Sequence, residues 1–162
     1  MDNTRIDSMV AVLIAALALA HGAAPAYTIQ LERLLAPAVN GHPIASQRDA
    51  TRLFGAPSQR SGCTADWSKL ALEVDTCGIG VALTTTASAF HTKAGLHPGD
   101  AAARAHALYP QGRSFGFLGR GTLWQLETGG AMCDGGPTLA LAAKLAAGRV
   151  VALEVVRVPA CG

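Results

Sequence analysis

The side chains able to do chemistry are few and widely spaced. His91, His97 and Asp100 form the best local set for acid–base work. An imidazole titrates near neutrality, and a carboxylate beside it can orient it or share a metal with it. A structural assignment competes: His97 precedes Pro98 in a turn-like dipeptide, and Asp100 stands where the Ala-rich segment after it would take an N-cap. His42 and His106 have no ligand-type residue beside them. No G-x-S-x-G elbow, Walker loop or H-E-x-x-H occurs. GRSFGFLGRG lacks the Lys-Ser/Thr ending of a phosphate loop, and AMCDGGP around Asp134 offers one carboxylate, too few for calcium. The sequence therefore predicts no catalytic residues, metal or cofactor. The alternative is a small secreted hydrolase or metal-dependent enzyme built on His91, His97 and Asp100.

The four cysteines are Cys63, Cys77, Cys133 and Cys161. No C-x2-C or H-x3-H spacing accompanies them, which argues against zinc. An even count in a small exported domain predicts two disulfides and no free thiol nucleophile. Of three pairings, Cys63 with Cys77 and Cys133 with Cys161 lets each pair close within its own half. The first closes a loop worth about 3 kcal/mol in the chain-entropy picture.

Export is indicated by the uninterrupted apolar run Met9–Ala20, preceded by Arg5 and followed by HGAAPA. A spanning helix needs about 20 apolar residues, and Pro25 ends any helical continuation, so the pattern is a secretory signal and not a stable membrane span. Ala24-Pro25-Ala26 predicts cleavage between Ala26 and Tyr27. Residues 1–26 then form the signal peptide and 27–162 one domain, secreted to the periplasm or the exterior. Asp2 and Asp7 offset Arg5, leaving translation from Met1 or from Met9 as alternatives. No cysteine follows the apolar run to take a lipid. The remainder carries 12 basic and 9 acidic side chains. The basic ones are scattered singly, which predicts no nucleic-acid partner.

Two helices and several strands must position these groups. In SQRDATRLFG, Ser46 can cap, Asp49 suits the electropositive end, Gly55 can terminate and Pro57 blocks continuation. In HPGDAAARAHALYP, Asp100 is the expected cap and Pro110 the stop. Alternation or β-branched content predicts strands at 68–75, 79–86, 121–128, 137–145 and 149–158, with Ala147-Gly148 as a tight hairpin. The Gly-rich stretch 111–121 reads as an exposed loop. The fold class is α+β: two short helices on one face of a mostly antiparallel sheet. A shift of 55 places brings His42-Pro43 onto His97-Pro98 and Leu53-Phe54 onto Leu108-Tyr109, with Trp67 and Trp124 following. This suggests a degenerate tandem repeat with halves 40–95 and 96–158.

NGHPIASQRDATRLFGAPS resembles the turn, short helix and G-x-P exit of the BamE-like and β-lactamase-inhibitor-protein-like domains, and FHTKAGLHPGDAAARAHALYP resembles the same unit again. The resemblance covers about residues 40–158. It implies tandem helix-plus-sheet units with a disulfide in each, similar to Cys63 and Cys77 here. The aromatic-rich concave surface of the inhibitors and the lipid-bearing cysteine of the BamE proteins have no counterpart, so the architecture is implied and neither function.

Recognition falls to aromatic side chains. Trp67 and Trp124 are expected in the core. Phe115 and Phe117, lying between Arg113 and Arg120 in the Gly-rich stretch, are the expected contacts. The predicted activity is thus non-enzymatic binding of a protein or envelope component, with a purely structural envelope protein as a further alternative.

Overall fold

The computed structural model describes residues 25–31, 36–117, 121–129 and 137–159. Among them are two helices and twelve strands in two sheets, an α+β fold with mostly antiparallel pairing. The apolar run, Arg120, Cys133, Asp134 and Cys161 lie outside the described residues. Within them no helix is long and apolar enough to cross a membrane.

A four-stranded sheet has the order β3-β2-β1-β8. Its strands are β1 (Tyr27–Leu31), β2 (Pro37–Val39), β3 (His42–Pro43) and β8 (Phe90–Thr92). β1 runs parallel to β8, and the other pairs are antiparallel. The eight-stranded sheet is built from β4 (Gln59–Ser61), β5 (Thr64–Trp67), β6 (Leu72–Asp75), β7 (Ala82–Thr85), β9 (Ser114–Phe117), β10 (Gly121–Thr128), β11 (Pro137–Ala146) and β12 (Arg149–Pro159). Its order, β4-β5-β6-β7-β12-β11-β10-β9, mirrors itself about the β7/β12 seam. Helix α1 (Gln47–Phe54) precedes the first four strands, and α2 (Ala102–Leu108) precedes the last four.

The mirrored order extends to side chains. Trp67 on β5 donates its indole N–H to the carbonyl of Gly55, the residue that ends α1, at 2.9 Å. Trp124 on β10 donates to the carbonyl of Tyr109, the residue that ends α2, at 3.3 Å. Each indole thereby supplies a donor to a helix C-terminus that has lost its intrahelical partners.

Helix α1 starts as its sequence dictates. The Ser46 hydroxyl accepts the Asp49 amide, and the Asp49 carboxylate accepts the Ser46 hydroxyl and the Ala45 amide. The Ser46 bond, aided by the Ala45 amide and Arg52, holds Asp49 below the usual carboxylate range. Gly55 closes the helix at φ +81°, a backbone region that suits glycine. Helix α2 departs from expectation. Its N-cap is Ala101, with no side-chain cap, because the Asp100 carboxylate turns back to accept the His97 amide at 3.0 Å.

One face of the large sheet holds the main core. Ala65, Trp67, Leu72, Val74, Leu83, Leu141, Leu153 and Val155 pack with Ile29, Val39 and Phe90 of the small sheet and with Ala50 and Ala105 of the helices. Tyr27 stacks on Phe90 at 4.6 Å, and Phe54 meets both Tyr27 and Trp67 edge-on. Alternation along β11 and β12 sends Ala140, Ala142 and Val156 to the opposite face, where they cluster with Leu123, Phe115 and Val158.

Several boundaries differ from the sequence expectation. Segment 68–75 begins as a 3-10 turn, Ser68–Leu70, and Ala71 at φ +44° separates it from β6. Segment 79–86 yields a strand only from Ala82. The expected exposed loop 111–121 instead contains β9, paired antiparallel to β10. The Ala147-Gly148 hairpin forms as predicted, both residues at positive φ, which suits the twist of β11 and β12.

Gly112 matters for space. A β-carbon there would lie 2.4 Å from the Gln125 carbonyl oxygen and 2.5 Å from the Trp124 indole nitrogen. Gly112→Ala is expected to force the strand or the indole aside and to cost about 1–3 kcal/mol, read as a lower urea midpoint. A midpoint equal to that of the native chain would contradict the packing.

Candidate functional site

The predicted acid–base set does not assemble. His91 on β8 is tied to its own surroundings: Nδ1 lies 3.0 Å from the Thr92 carbonyl and Nε2 lies 3.5 Å from the Thr28 hydroxyl. His97 Nε2 does lie 3.5 Å from Asp100 Oδ1, but Arg104 shares that oxygen at 3.4 Å. The two form a local turn brace without His91. Among the described residues, the one group of three His, Cys, Asp or Glu donors with ligand atoms within 4.8 Å of each other is Cys63, Asp75 and Cys77. His42 is exposed on β3, and the His106 ring lies 4.4 Å from Trp124.

The predicted recognition residues are spread differently from a loop. Phe115 is half-buried on β9, paired with Leu123, and packs on the second apolar cluster. Arg113 is exposed, and its carbonyl accepts the Gln125 amide. The backbone of Phe117 pairs with Gly121.

A shallow groove beside β10 is lined by Leu108, Tyr109, Gly112, Gln125 and Glu127. The Tyr109 hydroxyl is buried near Thr92 and Ala94 without a hydrogen bond of good geometry. Burial, reinforced by the Glu127 charge, raises its pKa above the ordinary phenol value. Its protonated form is favoured by folding, so this contribution is complete below the unfolded-state pKa. It is lost as pH climbs from about 10 towards the folded-state pKa. Tyr109→Phe is expected to raise stability by about 1 kcal/mol near neutrality, since it removes an unsatisfied hydroxyl. It should also flatten the alkaline decline. Urea midpoints at neutral and alkaline pH test both; a less stable variant would show that the hydroxyl has a partner.

The turn from β6 to β7, residues 76–81, is exposed at Cys77, Gly78 and Ile79 and is heavily restrained. Cys63 and Cys77 are joined by a disulfide, with α-carbons 5.1 Å apart, as the spacing predicts. Thr76 donates both its amide and its hydroxyl to the Cys63 carbonyl, at 2.9 and 2.8 Å. Asp75 Oδ1 accepts the Cys77 amide. Arg157 on β12 reaches across the sheet. Its Nη1 lies 3.1 Å from Asp75 Oδ2, Nη2 donates to the Asp75 and Gly80 carbonyls, and Nε donates to that of Ile79. Ile79 itself is 60% exposed. Sequence reasoning placed Ile79 at the head of a strand. The glycines on either side of it and the preceding cysteine were the available signals for a turn, but the arginine that organises it is far away in the chain.

No family model matches this chain, and neither a curated protein nor a solved structure shows significant similarity to it.

Proposed function

We propose that the chain is an exported, disulfide-braced binding protein that recognises a protein or envelope component and performs no catalysis itself. The observation that carries this reading is the 76–81 turn. A lone exposed isoleucine is ordinary on a protein surface, but here it is held by a disulfide and by a guanidinium that fastens three backbone carbonyls. A preorganised apolar tip loses little freedom when covered, which is how a small contact gains affinity. Export is supported by β1 starting at Tyr27, immediately after the expected cleavage point. Cleavage there leaves the strand whole, at the cost of the bond from Asn40 to the Ala26 carbonyl. The mirrored strand order and the paired indole bonds support a tandem-unit architecture similar to the BamE-like and inhibitor-like domains.

The test is retention from native envelope and culture fractions on immobilised protein comprising residues 27–162, run beside an Ile79→Asp variant. A partner retained by the native chain should bind the variant at least tenfold more weakly, about 1.4 kcal/mol, with an unchanged melting temperature. Equal retention by both, or none from any fraction, would defeat the reading.

A further inference from the structure

We propose that, once their disulfide is reduced, Cys63 and Cys77 join Asp75 in a site for a thiophilic divalent cation such as zinc, masked in the oxidised protein. Strand pairing as well as the S–S bond brings the donors together. Thr64 and Asp75 are register partners on β5 and β6, which sets Cys63 and Cys77 beside each other at the strand ends. The two bonds from Thr76 to the Cys63 carbonyl keep them there. The Asp75 carboxylate lies within 4.8 Å of both sulfurs, which the disulfide joins to each other in the oxidised protein. Zinc bonds of about 2.3 Å to sulfur and 2.0–2.2 Å to oxygen put tetrahedral donors about 3.5–4 Å apart, so modest side-chain rotation suffices. The Thr64 hydroxyl lies 3.9 Å from Cys77 Sγ, and water can complete the coordination of such a cation.

The charges also balance. Two thiolates and a carboxylate around a dication leave one negative charge, facing the Arg157 guanidinium. The Cys77 amide and Arg157 already orient the Asp75 carboxylate, as supporting bonds orient ligands in metal sites. Opening requires a dithiol. Its thiolate attacks the exposed Cys77 sulfur, the S–S bond breaks and Cys63 leaves as thiolate. The second thiol of the reagent then closes its own disulfide and releases Cys77. Two electrons pass from the dithiol to the protein, and cation binding displaces the thiol protons.

The experiment uses a chain carrying Cys133→Ser and Cys161→Ser, so that only this pair can respond. After reduction with a phosphine, Co²⁺ is titrated while sulfur-to-cobalt absorption is recorded and zinc is used to displace it; circular dichroism and Trp67 fluorescence follow the fold. One Co²⁺ per reduced chain is expected, and none in the oxidised chain. Asp75→Asn should weaken uptake at least tenfold, in line with the effect of altering metal-site residues, and Cys77→Ser should abolish it. No uptake by the reduced chain overturns the proposal. So does uptake equally tight in Asp75→Asn, which would mean an unfolded dithiol segment is binding the metal.

Discussion

Trp67→Ala should lower stability by about 4 kcal/mol, within the range for emptying a large aromatic from a core. Trp67 is 3% exposed and sits between sheet and helix, with Phe54 edge-on at 5.8 Å. Its removal opens a void at the meeting point of both sheets and α1, and strips the Gly55 carbonyl of its donor. Domains of this size are stable by about 5–15 kcal/mol, so the variant should be partly unfolded in mild urea, with an unchanged denaturant slope. Trp124→Ala, at the mirrored position but only half-buried, should cost less. A Trp67→Ala loss below that of Trp124→Ala would place the core centre in the other half.

What could be read from the sequence was local. Ser46, Asp49, Gly55 and Pro57 define α1 within a dozen residues, and the hairpin glycine and long apolar alternation define β11 and β12. The small sheet escaped because its strands are short and carry little pattern. β1 buries Ile29 fully and leaves its neighbours half-exposed, and β3 is two exposed residues. β4 is exposed throughout, so no apolar face announces it. β9 is glycine-bearing and owes its form to pairing with β10, which no propensity scale sees. Asp100 was misread because one carboxylate has several local acceptor roles, and the turn back to His97 won over capping forward. The candidate site was legible only in its covalent part. The cysteines announce themselves by spacing, whereas Arg157 is 82 positions from Asp75. Their meeting depends on β12 lying against β7, the long-range pairing that joins the two halves of the sheet.

That seam makes Arg157 the residue whose loss should reach both stability and recognition. Arg157→Met keeps most of the apolar stem but removes every guanidinium donor. The pair with Asp75 is about three-quarters buried on each side, so screening by solvent is incomplete and the carboxylate left behind is poorly hydrated. Charge-assisted bonds are worth about 1.5–3 kcal/mol each when measured singly and are not additive within one network. Allowing for the exposed fraction, a total loss of about 3 kcal/mol is expected. Hydrogen exchange should accelerate specifically over residues 76–81, whose carbonyls at Ile79 and Gly80 lose their donors. Binding should weaken even though Ile79 is untouched, because ordering the turn becomes a cost of association. Ile79→Asp, by contrast, should weaken binding at least tenfold without altering exchange. Unchanged exchange in Arg157→Met would show that the disulfide alone holds the turn, and would remove the arginine from any part in recognition.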